Sequence, residues 1–259
     1  MLSAHHLPQS AGHALTWDHM NYLERYLNGE FQMVWDELQA LGPPVRQEPY
    51  YSVAREVAVE TMRRVRRNCE IIVSRLRSTG YVFGTYPDGS TGYYTQGPLV
   101  PPSKEALADL AELEERIGPL PLSLVAFWQE VGTVDLVGMH PSWPGGLDPL
   151  VVNEPAGAIS DLDDWEYLLD EGDADVPERL EAGLAPDDLH KDNISGGDPY
   201  SVALPDPSAD FVLLYERHEL LFVPYLRMAI LRWGGFPGLD THEVKLEALD
   251  GLVAGLEPF

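Results

Sequence analysis

The chain has 259 residues and carries 42 acidic against 17 basic side chains, a formal net charge of −25, with an apolar fraction of 44%. That apolar content supports a real core and excludes global disorder. No run of eighteen apolar residues and no apolar leader is present, so neither a membrane-spanning helix nor a signal peptide is expected.

Acidity of this size opposes nucleic acid and anionic membrane surfaces and favours basic proteins, although solubility alone is also served by it. The single cysteine, Cys69, precludes an intrachain disulfide and suits a reducing, cytoplasmic location.

Residues 1–15 are small and polar, and His5, His6 and His13 read as surface histidines rather than a metal tract. A first helix is expected from Thr16, where Trp17, Met20, Leu23, Leu27, Phe31, Val34, Leu38 and Leu41 keep helical spacing up to Gly42-Pro43-Pro44. Gly29 weakens or breaks it midway, since an interior glycine costs about 1 kcal/mol relative to alanine. A second helix is expected from Tyr51 to Ser78, buried along Val53, Val57, Thr61, Val65, Cys69, Ile72 and Leu76 and stopped by Gly80.

Paired antiparallel, the two helices make an N-terminal helical hairpin. Seven arginines lie from Arg55 to Arg77, and Arg63, Arg64, Arg66 and Arg67 cover more than one face. A solvated basic face is the expectation, because the rest of the chain repels nucleic acid. Cys69 falls in the apolar stripe and reads as a small core residue.

Between Tyr81 and Val100, two aromatic runs flank Pro87-Asp88-Gly89, which predicts a β-hairpin. The glycines lack the Lys-Ser/Thr ending of a phosphate loop. Pro98 to Pro102 forms a junction, giving two expected units: residues 1–100, a helical hairpin plus β-hairpin, and residues 101–259, an α+β domain.

Ser103 caps the next predicted helix, Leu107, Leu110, Leu113 and Ile117 line one face of it, and Gly118 ends it. Pro121 opens a short helix with Leu124, Phe127, Trp128 and Val131 in its stripe, closed by Gly132. Thr133 to Val137 is strand-like, a loop rich in aromatics and glycine runs from His140 to Gly146, and a second strand begins near Leu150.

Leu113-Glu114-Glu115-Arg116, Leu120-Pro121-Leu122-Ser123, Phe127-Trp128, Gly132, Leu136-Val137-Gly138, Trp143 and Asp148-Pro149-Leu150 follow one another in an order that resembles the SUKH superfamily. Gly196-Gly197 with Tyr200 is similar to the stretch that leads into a later strand of that family. The resemblance covers roughly residues 104–235 and departs at Val131-Gly132-Thr133, where members often carry Asn-Gly or Gly-Gly, and in the long acidic insert. The superfamily contains fungal cell-wall synthesis regulators and bacterial immunity proteins. The resemblance implies an α+β fold with an antiparallel or mixed sheet and flanking helices, protein binding, and no catalytic residues.

From Asp161 to Asp192 there are thirteen acids and two bases. Ser160 or Asp161 is expected to cap a short helix with Leu162, Trp165 and Leu169 facing inward, and residues 171–188 to make a surface excursion. Asp161, Asp163 and Asp164 lack the ligand spacing and closing glutamate of a calcium loop. His190-Lys191-Asp192-Asn193-Ile194-Ser195-Gly196-Gly197 is the most enzyme-like string, but Ser195 has no G-x-S-x-G elbow. Tyr200 to Leu204 and Phe211 to Tyr215 are predicted strands, Leu221 to Trp233 a helix, and Val244 to Leu256 a last helix.

The function expected is a non-enzymatic protein-binding module whose partner is a basic toxin domain. Binding is assigned to Trp143, Asp161, Asp163, Asp164, Glu166, Asp170, Glu171, Asp173 and Asp175. No cofactor or metal is expected, since the histidines show no ligand spacing. Two alternatives stay open: a hydrolase using His190, Asp192 and Ser195, and a regulatory scaffold unrelated to toxins.

Overall fold

Gly29 breaks the first helix, the stronger of its two expected effects. It sits at φ +101°, a left-handed conformation that side-chain-bearing residues rarely adopt, and splits the expected helix into α1 (Tyr22–Leu27) and α2 (Phe31–Ala40). The computed structural model describes residues 22–92, 97–172, 176–241 and 248–259, so Trp17 and Met20 lie outside the described residues. Splitting the helix rotates its inner face. Tyr22, Tyr26, Val34, Trp35 and Leu38 are buried, while Leu27 turns out to solvent.

After a 3-10 turn at Pro43–Arg46 comes α3 (Tyr50–Thr79), ended by left-handed Gly80 as its sequence indicates. Its expected stripe is buried from Val57 to Leu76, with Val53 half-buried. Ala54, Ala58, Met62, Asn68 and Val73 are buried as well, because α3 is covered on more than one side. It packs against α1 and, through the Trp35 indole donating to Thr61 Oγ1 at 3.0 Å, against α2. Its heaviest contacts are with α5 (Leu122–Glu130). The C-terminal tail closes on it too: the Asn68 side chain donates to Glu257 O and accepts from Glu257 N, both at 2.8 Å.

The tight turn expected at Pro87-Asp88-Gly89 is present, with Tyr86 N donating to Ser90 O at 2.8 Å and a bridge between Thr85 and Thr91. This short hairpin reaches as far as Gly92, whose N donates to Gly84 O at 2.8 Å, and the strands beyond it pair elsewhere. β1 (Val82–Phe83) pairs with β4 (Gly138–Met139), and β2 (Leu99–Val100) with β3 (Thr133–Asp135), all antiparallel. Both strands thus find their partners in the central stretch. Residues 93–96 lie outside the described residues.

α4 (Lys104–Ile117) starts at Ser103, whose hydroxyl accepts from Ala106 N at 3.0 Å, and ends at Gly118. Leu110 and Leu113 are buried as read, but Leu107 is exposed and Ala106 takes the inner position. In α5 the whole expected stripe is buried, Phe127 meeting Phe222 edge-to-face at 5.5 Å. β3 is the middle strand of a three-stranded sheet, Val134 lying opposite both Leu99 and Val152 of β5 (Val151–Val152).

The acidic segment needs two corrections. α6 runs from Pro155 to Asp170, so Ser160 and Asp161 are internal and Glu154 occupies the capping position. Residues 180–185, read as surface excursion, form β6 (Leu180–Ala185), the longest strand described. It pairs antiparallel with β7 (Tyr200–Leu204). Its small residues, Ala182, Gly183 and Ala185, have weak strand propensity, which hid it. Between them lies the short helix α7 (Asp188–Lys191).

Phe211 to Tyr215 makes only isolated bridges, Ser201 to Leu214 and Val212 to Leu221, rather than the expected strand. α8 (Phe222–Arg227) continues into a π turn, Met228–Arg232, and stops at Gly234 and Gly235, both left-handed. α9 (Leu249–Val253) is the described part of the last helix, and residues 242–247 lie outside the described set. The fold is α+β with small antiparallel sheets. Buried side chains from α1 to Phe259 join one apolar cluster. No helix among the described residues is long and apolar enough to cross a membrane.

Candidate functional site

α6 buries Pro155, Ala158 and Leu162, a spacing that turns its first half onto α4 and β6. Beyond Leu162 the helix outruns the layer beneath it. Leu169, read as inward, is 46% exposed, and Tyr167 is 63% exposed. Trp165 stays half-buried, its indole donating to Pro177 O at 3.0 Å. Asp164, Tyr167, Leu168 and Glu171 fall three or four residues apart and share one outward face.

The carboxylates expected to act together are in different situations. Asp161 is turned inward and accepts from Gly183 N at 2.7 Å, and burial pushes its carboxyl above the ordinary range. Asp163 and Glu166 both meet Arg116 of α4 at 2.7 Å. Asp164, Asp170 and Glu171 are exposed and make no ion pair among the described residues. Asp173 and Asp175 lie outside the described residues.

Trp143, the aromatic first assigned as an anchor, is half-buried. Its ring lies 4.8 Å from His140, 5.4 Å from Tyr81 and 5.7 Å from Phe236. Tyr167 is the freer aromatic, and its place in a Trp-Glu-Tyr-Leu-Leu run concealed this, since apolar residues in a helix are read as core by default.

A separate cleft of about 480 Å³ lies where β6 runs into α7, with Tyr86, Asp187, His190, Asn193 and Ser195 in its wall. Asp187 caps α7, accepting from Leu189 N at 2.8 Å and His190 N at 3.0 Å, and also bonds His190 Nδ1. Burial alone raises the Asp187 carboxyl, but the bonds from His190 outweigh it and hold the group below its ordinary value. Gly197 is required beside it, for a Cβ there lies 2.7 Å from Asp187 Cγ.

Asp192 takes no part in this pair. Its carboxylate accepts from Gly146 N at 2.5 Å and ties α7 to the aromatic loop. Lys191 is fully buried, bonded to Asp148 at 2.6 Å with its ammonium 4.3 Å from the centre of the Tyr200 ring. The pair fixes α7 from below. Sequence inspection missed it because a lysine in a short polar helix is normally solvated. The spacing of Asp187 ahead of His190 was a usable signal, being that of a capping residue.

Comparison with protein-family models, with curated proteins and with solved structures found no match.

Proposed function

We propose that the chain is a non-enzymatic protein-binding module that docks a basic protein on the outward face of α6. The observation that carries the reading is the exposed Tyr167 and Leu168 set between Asp164 and Glu171 on one helical face. A large aromatic supplies interface energy once a partner desolvates it, while surrounding carboxylates steer encounter with a basic surface. The net charge of −25 extends that steering over the whole molecule. The resemblance of residues 104–235 to the SUKH superfamily, which includes immunity proteins, supplies the kind of partner: a basic toxin domain.

Recovery of the partner by a photo-crosslinking residue at position 167, followed by binding kinetics, tests the reading. Tyr167→Ala is expected to speed dissociation, and Asp164→Asn with Glu171→Gln to slow association at low salt. A partner that crosslinks elsewhere and binds all variants equally defeats it.

One observation favours a second reading, a hydrolase. His190 Nδ1 is held by Asp187, which leaves Nε2 as the free ring nitrogen in a cleft that Ser195 also lines. Asp187 then has the orienting role expected of Asp192. Equal hydrolysis of an activated ester by wild type, His190→Gln and Ser195→Ala removes this reading.

A further inference from the structure

The arginines of this acidic chain are mostly saturated. Arg25, Arg64 and Arg67 each reach two carboxylates and Arg116 reaches three. Arg46 and Arg55, like Arg77 and Arg232, do not follow the pattern. Among the described residues neither the Arg46 nor the Arg55 side chain makes a hydrogen bond or an ion pair, although the chain has 42 acids for 17 bases. Arg46 is the more telling of the two: its Nε and Nη2 are buried with no hydrogen-bond partner. Guanidinium nitrogens buried without an acceptor are destabilising.

Both side chains line the same pocket, about 290 Å³ in volume, where the 3-10 turn Pro43–Arg46 and α3 face α4 and α5. Tyr51, Glu114 and Gln129 complete its polar wall, and the Arg46 guanidinium lies 5.9 Å from the centre of the Tyr51 ring. Glu114 stands in the wall without forming an ion pair with either arginine. Tyr51 and Arg55 also border a larger groove of about 550 Å³, lined by the apolar Leu27 and Val59 and by the carboxylates of Glu48, Glu56 and Glu60.

We propose that this pocket binds a small phosphate monoester, its oxyanion held by Arg46 and Arg55 and its organic part lying toward the groove. The planar fork of a guanidinium presents paired donors that match phosphate oxygens, and Arg46 and Arg55 bring two guanidinium groups to one pocket. Two cations and one carboxylate leave the wall singly positive. Glu114 then accepts from a hydroxyl of the ligand, which favours a hydroxylated ester over bare phosphate. The site is independent of the α6 face and stands or falls apart from it.

The test uses the full chain. Melting temperature and isothermal titration are measured with inorganic phosphate and with glycerol 3-phosphate, against sodium chloride at equal ionic strength. Saturable binding and a raised melting temperature are expected with both phosphates, the ester binding more tightly, and none with chloride. Arg46→Met removes the unmatched donors, so it is expected to melt higher than wild type without phosphate and to lose the phosphate response. Arg55→Gln is expected to bind at least tenfold more weakly, and it carries the test if the Met variant misfolds. Arg116→Gln, which removes a guanidinium that is bound to Asp163 and Glu166 of α6 and does not line the pocket, is expected to respond as wild type. A wild type that melts identically in phosphate and chloride overturns the proposal, as does an unaltered phosphate response in both Arg46→Met and Arg55→Gln.

Discussion

Phe127 shows how far single residues can be read from sequence. Helical spacing with Leu124 and Val131 places it in the core, and in the fold it is fully buried against Phe222. Phe127→Ala leaves a ring-sized void and is expected to cost about 3–5 kcal/mol in chemical denaturation. A loss below about 1 kcal/mol would mean that the site collapses freely.

Buried charge was not legible in this way. Nothing local marks Asp135, at the end of a strand, as 6% exposed with one carboxylate oxygen unmatched. Burial, opposed by the bond from Val137 N and by Lys191, pushes its carboxyl up to about 6. The unfolded carboxyl titrates near 3.9. Between about pH 4 and 6 the unfolded chain therefore releases a proton that the folded chain retains, and this group's contribution to stability falls as pH rises through that window. Wild type is expected to lose about 3 kcal/mol relative to Asp135→Asn in all, about 2 kcal/mol of it between about pH 4 and 6 and the last few tenths by about pH 7 to 8. Parallel stability curves for the two proteins would count against the assignment.

At the scale of elements, capping and stop signals were legible and pairing was not. Ser103, Gly118 and Gly80 sit where local chemistry puts them. Strand partners depend on distant sequence, so β1 and β2 looked like two arms of one hairpin although each pairs with the central stretch. β6 escaped notice because alanine and glycine give little strand signal amid acids. Gly29 is the informative interruption. No atom lies within 4 Å of a Cβ built there, so Gly29→Ala tests the backbone alone. The strain of φ +101° is expected to cost at least about 1 kcal/mol. A neutral or stabilising result would show that α1 and α2 can merge into one helix.

The composition made the charge of the whole molecule plain but not its arrangement. Arginines of α3 are largely consumed by nearby carboxylates, and Arg116 takes up Asp163 and Glu166, so much of the apparent charge segregation is internal. What remains for a partner on α6 is narrower than the acidic run suggested: Asp164, Asp170 and Glu171 around Tyr167 and Leu168. The measurement that bears most directly on this is the association rate with the crosslinked partner as a function of ionic strength. Removal of two carboxylates from a steering surface is expected to lower the low-salt rate of Asp164→Asn/Glu171→Gln several-fold and to flatten its salt dependence. If the double variant associates as fast as wild type at low ionic strength, the α6 face is not where a basic partner arrives.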